Sequence, residues 1–210
     1  MTMRIAVAIS GRGSNLEALH QALNIEAAAK IVLVISDRRD AGGLERARSW
    51  GLATEVLPNP TDGAVWLALL RRHRVDLVVL AGYVKLVPAN VIAAYRGRIV
   101  NVHPALLPAF GGQGMYGRRV HEAVLASGVH ETGATVHLVD EAYDHGATLA
   151  QARIPVLPGD TPERLAQRVL EVEHQLLPAV VLAAARAGRP VVLDSRPATR
   201  DHPAHQGRAH

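Results

Sequence analysis

A carboxamide and an imidazole stand two residues apart near the middle of the chain, in the segment Asn101-Val102-His103-Pro104. The apolar pair Ile99-Val100 leads into this segment and is typical of the end of a strand. Residues two apart in a strand point to the same side, so Asn101 and His103 should face one site with Val102 packed opposite. Pro104 has no N–H, which predicts that the strand stops there. The pair can donate hydrogen bonds to a ligand, or simply satisfy backbone groups and a loop.

A glycine-rich turn, Gly11-Arg12-Gly13-Ser14-Asn15, lies between an apolar run and a helical pattern. Glycines allow the backbone to approach a ligand closely, and a helix N-terminus offers free N–H groups to a phosphate. Leu16 occupies the place of the third glycine of the dinucleotide fingerprint, which disfavours a dinucleotide even though Asp37 would suit its ribose. The serine and asparagine donors favour a monophosphate. A tight turn that binds nothing is the alternative.

Three further places in the chain carry candidate functional side chains. Asp144 lies in a loop between two predicted strands, where an ordinary turn acid is the alternative. His137 alternates with Thr135 on one strand face and is otherwise a buried core histidine. Glu173 interrupts an apolar helix face and is otherwise a solvated residue. The spacing of His137, Asp144 and His145 matches no strong metal signature, so no metal site is predicted.

Strand and helix patterns alternate through the first half of the chain, and the order changes after Pro108. This pattern predicts an α/β fold with a doubly wound, mostly parallel sheet and an antiparallel C-terminal portion. Such sheets place their ligand sites at the carboxyl ends of the strands. The predicted strands cover 5–9, 31–35, 54–57, 77–80, the run ending at His103, 134–139 and 148–156. Predicted helices begin near Leu16 and cover 44–50, 62–73, 88–95, 120–126 and 160–187, the last capped by Asp160 and kinked at Pro178.

Length and composition predict one domain over residues 1–193 followed by a polar, flexible tail over 194–210. The absence of cysteine excludes disulfides, thiolate catalysis and cysteine zinc sites, and it fits a cytoplasmic protein. The net charge of +4 comes from scattered arginines, and aromatic residues make up only 3%, which favours a small anionic substrate over nucleic acid. The longest apolar run, 179–185, is too short to span a membrane, and no secretory leader is expected before the first strand.

Taken together, the motifs resemble the phosphoribosylglycinamide formyltransferases, the folate-dependent enzymes of purine synthesis. The resemblance covers about residues 3–193. It is carried in order by Ser10-Gly11-x-Gly13-Ser14-Asn15, Leu80-Ala81-Gly82-Tyr83, the run from Asn101 to Pro108, Gly133-Ala134-Thr135-Val136-His137, and Asp144. A wider group of 10-formyltetrahydrofolate enzymes shares the Asn-x-His-Pro motif and the downstream aspartate, and the Gly-Ser-Asn loop narrows the match to this branch.

The resemblance also implies roles for particular residues. The implied catalytic residues are Asn101, His103 and Asp144, with Thr135 and His137 in support. Gly13, Ser14, Asn15 and Glu173 are the implied phosphate and ribose ligands. The implied folate-binding residues are Val84, Lys85, Leu86, Val87 and Asn101. Lys85 replaces a frequent arginine. The arginine that often binds the folate glutamate has no clear counterpart, and Arg71 or Arg72 is the candidate substitute.

The implied reaction moves the formyl group of 10-formyltetrahydrofolate to the amine of glycinamide ribonucleotide, giving the N-formyl product and tetrahydrofolate in de novo purine (IMP) biosynthesis. Asn101 and protonated His103 should stabilise the oxyanion, and Asp144 should raise the pKa of His103 and assist proton transfer. A monomer or homodimer without metal, membrane or nucleic-acid partners is expected. Alternatives are a sister 10-formyltetrahydrofolate transferase or hydrolase with another acceptor, or a Rossmann-type regulator or oxidoreductase using Gly11, Gly13 and Asp37.

Overall fold

A computed structural model describes residues 2–193 of the chain, and the predicted tail 194–210 lies outside the described residues. Its strands form one seven-stranded sheet in the order β3-β2-β1-β4-β5-β6-β7. The strands are β1 Met3–Ile9, β2 Ala29–Ser36, β3 Thr54–Val56, β4 Leu77–Leu80, β5 Ile99–His103, β6 Glu131–Leu138 and β7 Thr148–Pro155. The helices are α1 Ser14–Ile25, α2 Gly42–Ser49, α3 Gly63–Arg72, α4 Ala89–Ala94, α5 Arg118–Ser127 and α6 Pro162–Ala187.

The first five strands pair in parallel, whereas β6 and β7 add as an antiparallel portion. The predicted fold class is therefore confirmed. The strand order reverses between β1 and β4, so the chain leaves these neighbouring strands toward opposite faces of the sheet. A crevice for a ligand opens at such a switch point.

Helices cover both faces of the sheet because the central strands are apolar on both sides. In β1, the side chains of Ile5, Val7 and Ile9 pack toward α1 and α6, while Ala6 and Ala8 pack toward α3 and α4. Each fully buried aliphatic side chain contributes about 1.5–3 kcal/mol. The two apolar layers fix the central strands, and through them the residues at the strand ends.

Several element boundaries differ from the predictions. Thr161, not Asp160, caps α6, since its hydroxyl accepts a hydrogen bond from the Arg164 N–H. The Asp160 carboxylate instead binds Arg168 and the Leu157 N–H. Helix α6 continues through Pro178 without interruption. No helix among residues 2–193 is both long enough and apolar enough to cross a membrane.

Strand β5 ends at His103, directly before Pro104, as the missing N–H of proline predicts. Its antiparallel partner β6 places His137 opposite Asn101 and Thr135 opposite His103. Residues directly opposite each other in a ladder share a face. The four polar side chains therefore lie on one side of the sheet, and Val102 packs on the other.

Candidate active site

A cavity of about 880 Å³ opens at the carboxyl edge of the sheet, next to the switch point. This volume is in the range of small-molecule sites. Its walls come from the glycine-rich turn after β1, the segment after β4, the end of β5, the loops before α5 and after β6, and two helices, α5 and α6. All the expected catalytic residues and most of the expected binding residues line it.

Asp144 lies at the centre of a polar cluster inside this cavity. Its Oδ2 is 3.5 Å from His103 Nδ1, and its Oδ1 accepts a hydrogen bond of 3.4 Å from Asn101 Nδ2. The Gly112 N–H also donates to Oδ2, at 3.0 Å. The structure therefore brings Asn101, His103 and Asp144 together on one side of the sheet edge.

His137 supports this cluster by fixing the amide of Asn101. Its Nδ1 lies 2.7 Å from the Leu138 carbonyl, which can only accept, so Nδ1 carries the proton of the neutral ring. Its Nε2 then accepts from Asn101 Nδ2 at 3.0 Å. This contact turns the amide N–H groups of Asn101 toward His137 and Asp144, where a reacting oxygen can reach one of them.

Thr135 supports the cluster through the backbone that follows β5. Its buried hydroxyl donates to the Ala105 carbonyl at 2.7 Å and accepts from the Leu107 N–H at 3.0 Å. Gln151 adds bonds to the same hydroxyl and to the Leu107 carbonyl. The segment directly after His103 is thus tied to β6 and β7.

The Asp144 carboxylate raises the pKa of His103, as predicted, but it does not make the protonated ring the favoured form. Burial lowers the pKa of His103 below its ordinary value, although the Asp144 carboxylate and the Phe110 carbonyl oppose that shift. The reason is that the side chain is only 4% exposed, and burial removes more favourable hydration from the cation than a carboxylate 3.5 Å away restores. The neutral ring is therefore favoured in the absence of substrate.

For Asp144, the neighbouring groups affect the pKa more than burial does. Burial opposes its ionisation, but the nearby imidazoles of His137 and His103 and the Gly112 N–H together hold the pKa of Asp144 below its ordinary value. A carboxylate surrounded by donors is stabilised in its charged form. The site thus contains a fixed anion beside two imidazoles.

The second end of the cavity is formed by the glycine-rich turn and α6. Gly13 has a left-handed φ of 77° at the start of α1, and a Cβ there would lie 2.8 Å from the Gly43 backbone. Ser14 and Asn15 follow in the first helical turn. The N–H groups of this first turn are free to bind an anion.

Glu173 faces this turn from α6 and is buried rather than solvated, which makes the surface alternative wrong. Asn15 Nδ2 donates to Glu173 Oε2 at 2.6 Å. Burial raises the pKa of Glu173 to about 7, against the lowering effect of that hydrogen bond. The carboxyl group is therefore poised to bind hydroxyl groups of a ligand beside the turn.

The expected folate segment, Val84 to Val87, forms another part of the wall. The Val84 N–H donates to Ser10 Oγ at 3.1 Å, and Val87 is buried, whereas Lys85 and Leu86 are exposed. Arg71 and Arg72 are exposed at the end of α3 and do not line the cavity, so their proposed substitution for a folate-binding arginine is not supported.

Two contributions to the site were missed from the sequence. The Phe110 carbonyl accepts a hydrogen bond from His103 Nε2, and Phe110 has a left-handed φ of 58° that no motif predicts. His121 on α5 is buried and lines the cavity. In the sequence, its position among apolar residues of a predicted helix was the one feature that could have indicated this. His145 bonds Asp140. Among residues 2–193 no group of three histidine, aspartate or glutamate side chains could hold a metal ion.

A doubly wound sheet with a polar cavity at its switch point defines the class: an α/β enzyme that binds small molecules at the carboxyl edge of its strands. The chain belongs to the formyl transferase family, whose model matches residues 3–181. The expected resemblance to formyltransferases is therefore confirmed.

Individual relatives agree with the family match. The chain is 46% identical over 186 residues to a chloroplastic phosphoribosylglycinamide formyltransferase of Arabidopsis thaliana, covering 85% of this chain and 64% of that protein. It is 37% identical to the phosphoribosylglycinamide formyltransferase of Haemophilus influenzae, covering 85% of each. A crystal structure of glycinamide ribonucleotide transformylase 1 from Symbiobacterium toebii superposes with a TM-score of 0.83 at 39% identity, covering 92% of this chain and 95% of that one.

The chain spans less than two thirds of the length of the first plant relatives, 64% for Arabidopsis thaliana and 60% for Vigna unguiculata. The bacterial relatives, in contrast, are matched over most of their length. The residues matched by the family model, 3–181, contain the whole sheet and the cavity.

Proposed function

We propose that the chain transfers the formyl group of 10-formyltetrahydrofolate to the amine of glycinamide ribonucleotide, in de novo purine (IMP) biosynthesis. The observation that carries this proposal is the single cavity with Asp144, His103 and Asn101 at one end and the Gly13 turn with Glu173 at the other. One end suits acyl-group chemistry, and the other suits a phosphorylated sugar. Relatives named for this activity support the assignment.

In this reaction the amine nitrogen bonds to the formyl carbon, the bond from that carbon to folate N10 breaks, and one amine proton ends on N10. Negative charge develops on the formyl oxygen before the bond to N10 breaks. Asn101 donates an N–H to that oxygen, replacing its long 3.4 Å contact with Asp144. A single donor of this kind typically accounts for about 100-fold or more in rate.

His103 supplies the second donor through Nδ1. The Phe110 carbonyl holds the proton on Nε2, so Nδ1 carries a proton only when the ring is a cation. The 3.5 Å separation between Nδ1 and Asp144 Oδ2 is longer than the roughly 2.7–2.9 Å of a strong charged hydrogen bond. A formyl oxygen can therefore approach Nδ1, and its developing charge favours the imidazolium form.

Asp144 transfers the proton between the attacking amine and folate N10. Its lowered pKa keeps it ionised at neutral pH, where it can accept a proton from the attacking amine and release it toward N10. Thr135 and His137 keep the three groups aligned through the contacts described above.

The two substrates occupy different walls of the cavity. Backbone N–H groups of Gly13, Ser14 and Asn15 bind the phosphate, and the Glu173 carboxyl group binds the ribose hydroxyls. Folate lies against Val84 to Val87, next to Asn101. The cationic side chains lining the cavity within residues 2–193 are those of Arg12, Lys85 and Arg118.

The remaining expectations belong to the same proposal. Residues 1–193 act as one domain, as a monomer or homodimer in the cytoplasm, with no membrane or nucleic-acid partner. A rival acceptor, as in a sister transferase or a hydrolase, would use the same three catalytic residues. The Gly13 turn and Glu173 favour the ribonucleotide, since water as an acceptor needs neither.

A formyl-transfer assay with glycinamide ribonucleotide and 10-formyltetrahydrofolate tests the proposal, with His103→Ala as the inactive comparison. Thermal-shift measurements separate the alternatives: glycinamide ribonucleotide or a folate analogue should stabilise the protein, and NAD should not. Release of formate at the same rate with and without the ribonucleotide would instead identify a hydrolase.

A further inference from the structure

His121 is a buried imidazole on the wall of the cavity that the catalytic steps above do not use. It lies on α5, one residue after the buried Val120 and three before the buried Val124. Val124 packs against Leu165 and Val169 of α6 and holds α5 against that helix. His121 therefore lies on the wall of the cavity that α5 forms. His103 of β5 and Leu170 and Glu173 of α6 line the same cavity.

The His121 imidazole has a nitrogen atom without a hydrogen-bond partner. Its Nδ1 is buried and has no hydrogen-bond partner, although the residue is only 4% exposed. Burial, and secondarily the nearby His103, lowers the pKa of His121 and favours the neutral ring. A buried donor or acceptor without a partner destabilises the folded state, and an aliphatic side chain would fill the same space without that penalty.

The position of His121 on the cavity wall indicates which ligand group its imidazole would contact. The phosphate and ribose are assigned to the Gly13 turn and Glu173, and the reacting amine to Asn101, His103 and Asp144. A secondary amide connects the ribose to that amine, with one carbonyl acceptor and one N–H donor. The α5 wall lies beside both ends of the cavity and carries no other uncharged polar side chain that lines it.

We propose that His121 is a substrate-binding residue whose neutral imidazole donates a hydrogen bond to the amide carbonyl of glycinamide ribonucleotide. The assignment rests on the proposed function and specifies how the same site recognises its acceptor substrate. The bond would orient the amine toward the formyl carbon and would discriminate against phosphorylated sugars that lack the amide.

Calorimetric binding to the intact protein tests this assignment with two ligands, glycinamide ribonucleotide and ribose 5-phosphate. His121→Leu should weaken binding of the ribonucleotide about tenfold, the typical effect of one lost hydrogen bond, and should leave ribose 5-phosphate binding unchanged. His121→Gln retains a donor and should recover part of the affinity. His130→Leu, which removes an exposed histidine outside the cavity, is the matched control.

The melting temperature separates substrate binding from a structural role. Because Leu removes an unpartnered buried polar group, His121→Leu should melt at the same temperature as the unaltered protein or higher. Equal affinity of His121→Leu and the unaltered protein for the ribonucleotide would overturn the assignment, as would an equal loss for both ligands. If the unaltered protein binds ribose 5-phosphate but not the ribonucleotide, the proposed function itself fails.

Discussion

The Phe110 carbonyl accepts a hydrogen bond of 2.8 Å from His103 Nε2 and thereby decides what the other ring nitrogen can do. A carbonyl cannot donate, so Nε2 keeps its proton in both states of the ring. Nδ1 faces Asp144 and becomes a donor only when His103 is a cation. The Phe110 carbonyl in the loop before α5 thus fixes the tautomer of neutral His103, and the ring can donate from Nδ1 only after it gains a proton.

Replacing Asp144 with asparagine should abolish most of the formyl transfer while preserving the fold. Asparagine keeps the shape but loses the charge that accepts a proton, so kcat should fall about 100-fold or more. Steady-state kinetics measure this loss, and circular dichroism and ribonucleotide binding report the fold. Glu141→Gln, which removes an exposed acid of the same loop, is the matched control. Wild-type turnover of Asp144→Asn across pH 6–9 would remove Asp144 from the mechanism.

The same substitution should lower the pKa of His103 further. Burial already lowers it, and the Asp144 carboxylate is the main opposing influence. Without that negative charge, protonation of the ring becomes harder. NMR titration of the imidazole in the two proteins measures the difference. An unchanged or higher pKa in Asp144→Asn would show that the carboxylate does not act on His103.

The apolar periodicity of the sequence was sufficient to predict most of the fold. The predicted strand 77–80 has the bounds observed in the structure, because a continuous apolar run followed by Gly82 is typical of a strand that is buried on both faces. The pairing of Asn101 with His103 also followed from the two-residue period of a strand. Local patterns carry this information without reference to the rest of the chain.

Other features depend on contacts between distant segments. Asn15 and Glu173 are 158 residues apart, so the apolar helix face around Glu173 does not reveal the partner that its carboxylate meets. Phe110 has a left-handed φ of 58°, and no local sequence pattern shows that its carbonyl meets His103. The sequence predicted correctly that Asp144 raises the pKa of His103, but it did not show the burial that lowers this pKa by more.

Replacing Thr135 with valine should destabilise the protein. The isosteric change leaves the Ala105 carbonyl and the Leu107 N–H unpaired in the interior, at a cost of about 2–3 kcal/mol in the free energy of unfolding. Urea denaturation measures the loss. Thr132→Val is a stringent control, since Thr132 is equally buried on β6 but its hydroxyl has no partner. Equal effects at the two positions would contradict the role of the Thr135 hydrogen bonds.

Glu173 should make stability fall as the pH rises. The folded protein holds the proton of Glu173 up to about pH 7, whereas the unfolded chain releases it near its ordinary pKa of 4.5. Between these values the folded state binds more protons, so the free energy of unfolding decreases with increasing pH and levels off above about 7. The shift corresponds to a loss of about 3 kcal/mol across this window.

The Glu173→Gln protein cannot ionise at this position and should lack that component. Urea denaturation at pH 5 and pH 8 should show a smaller decline in stability for Glu173→Gln than for the unaltered protein. Glu171→Gln, an exposed neighbour on α6, should decline like the unaltered protein. Parallel declines in all three proteins would mean that Glu173 is not held protonated. Because the carboxyl group also serves the ribose, Glu173→Gln should raise the KM for the ribonucleotide and leave the KM for the folate unchanged.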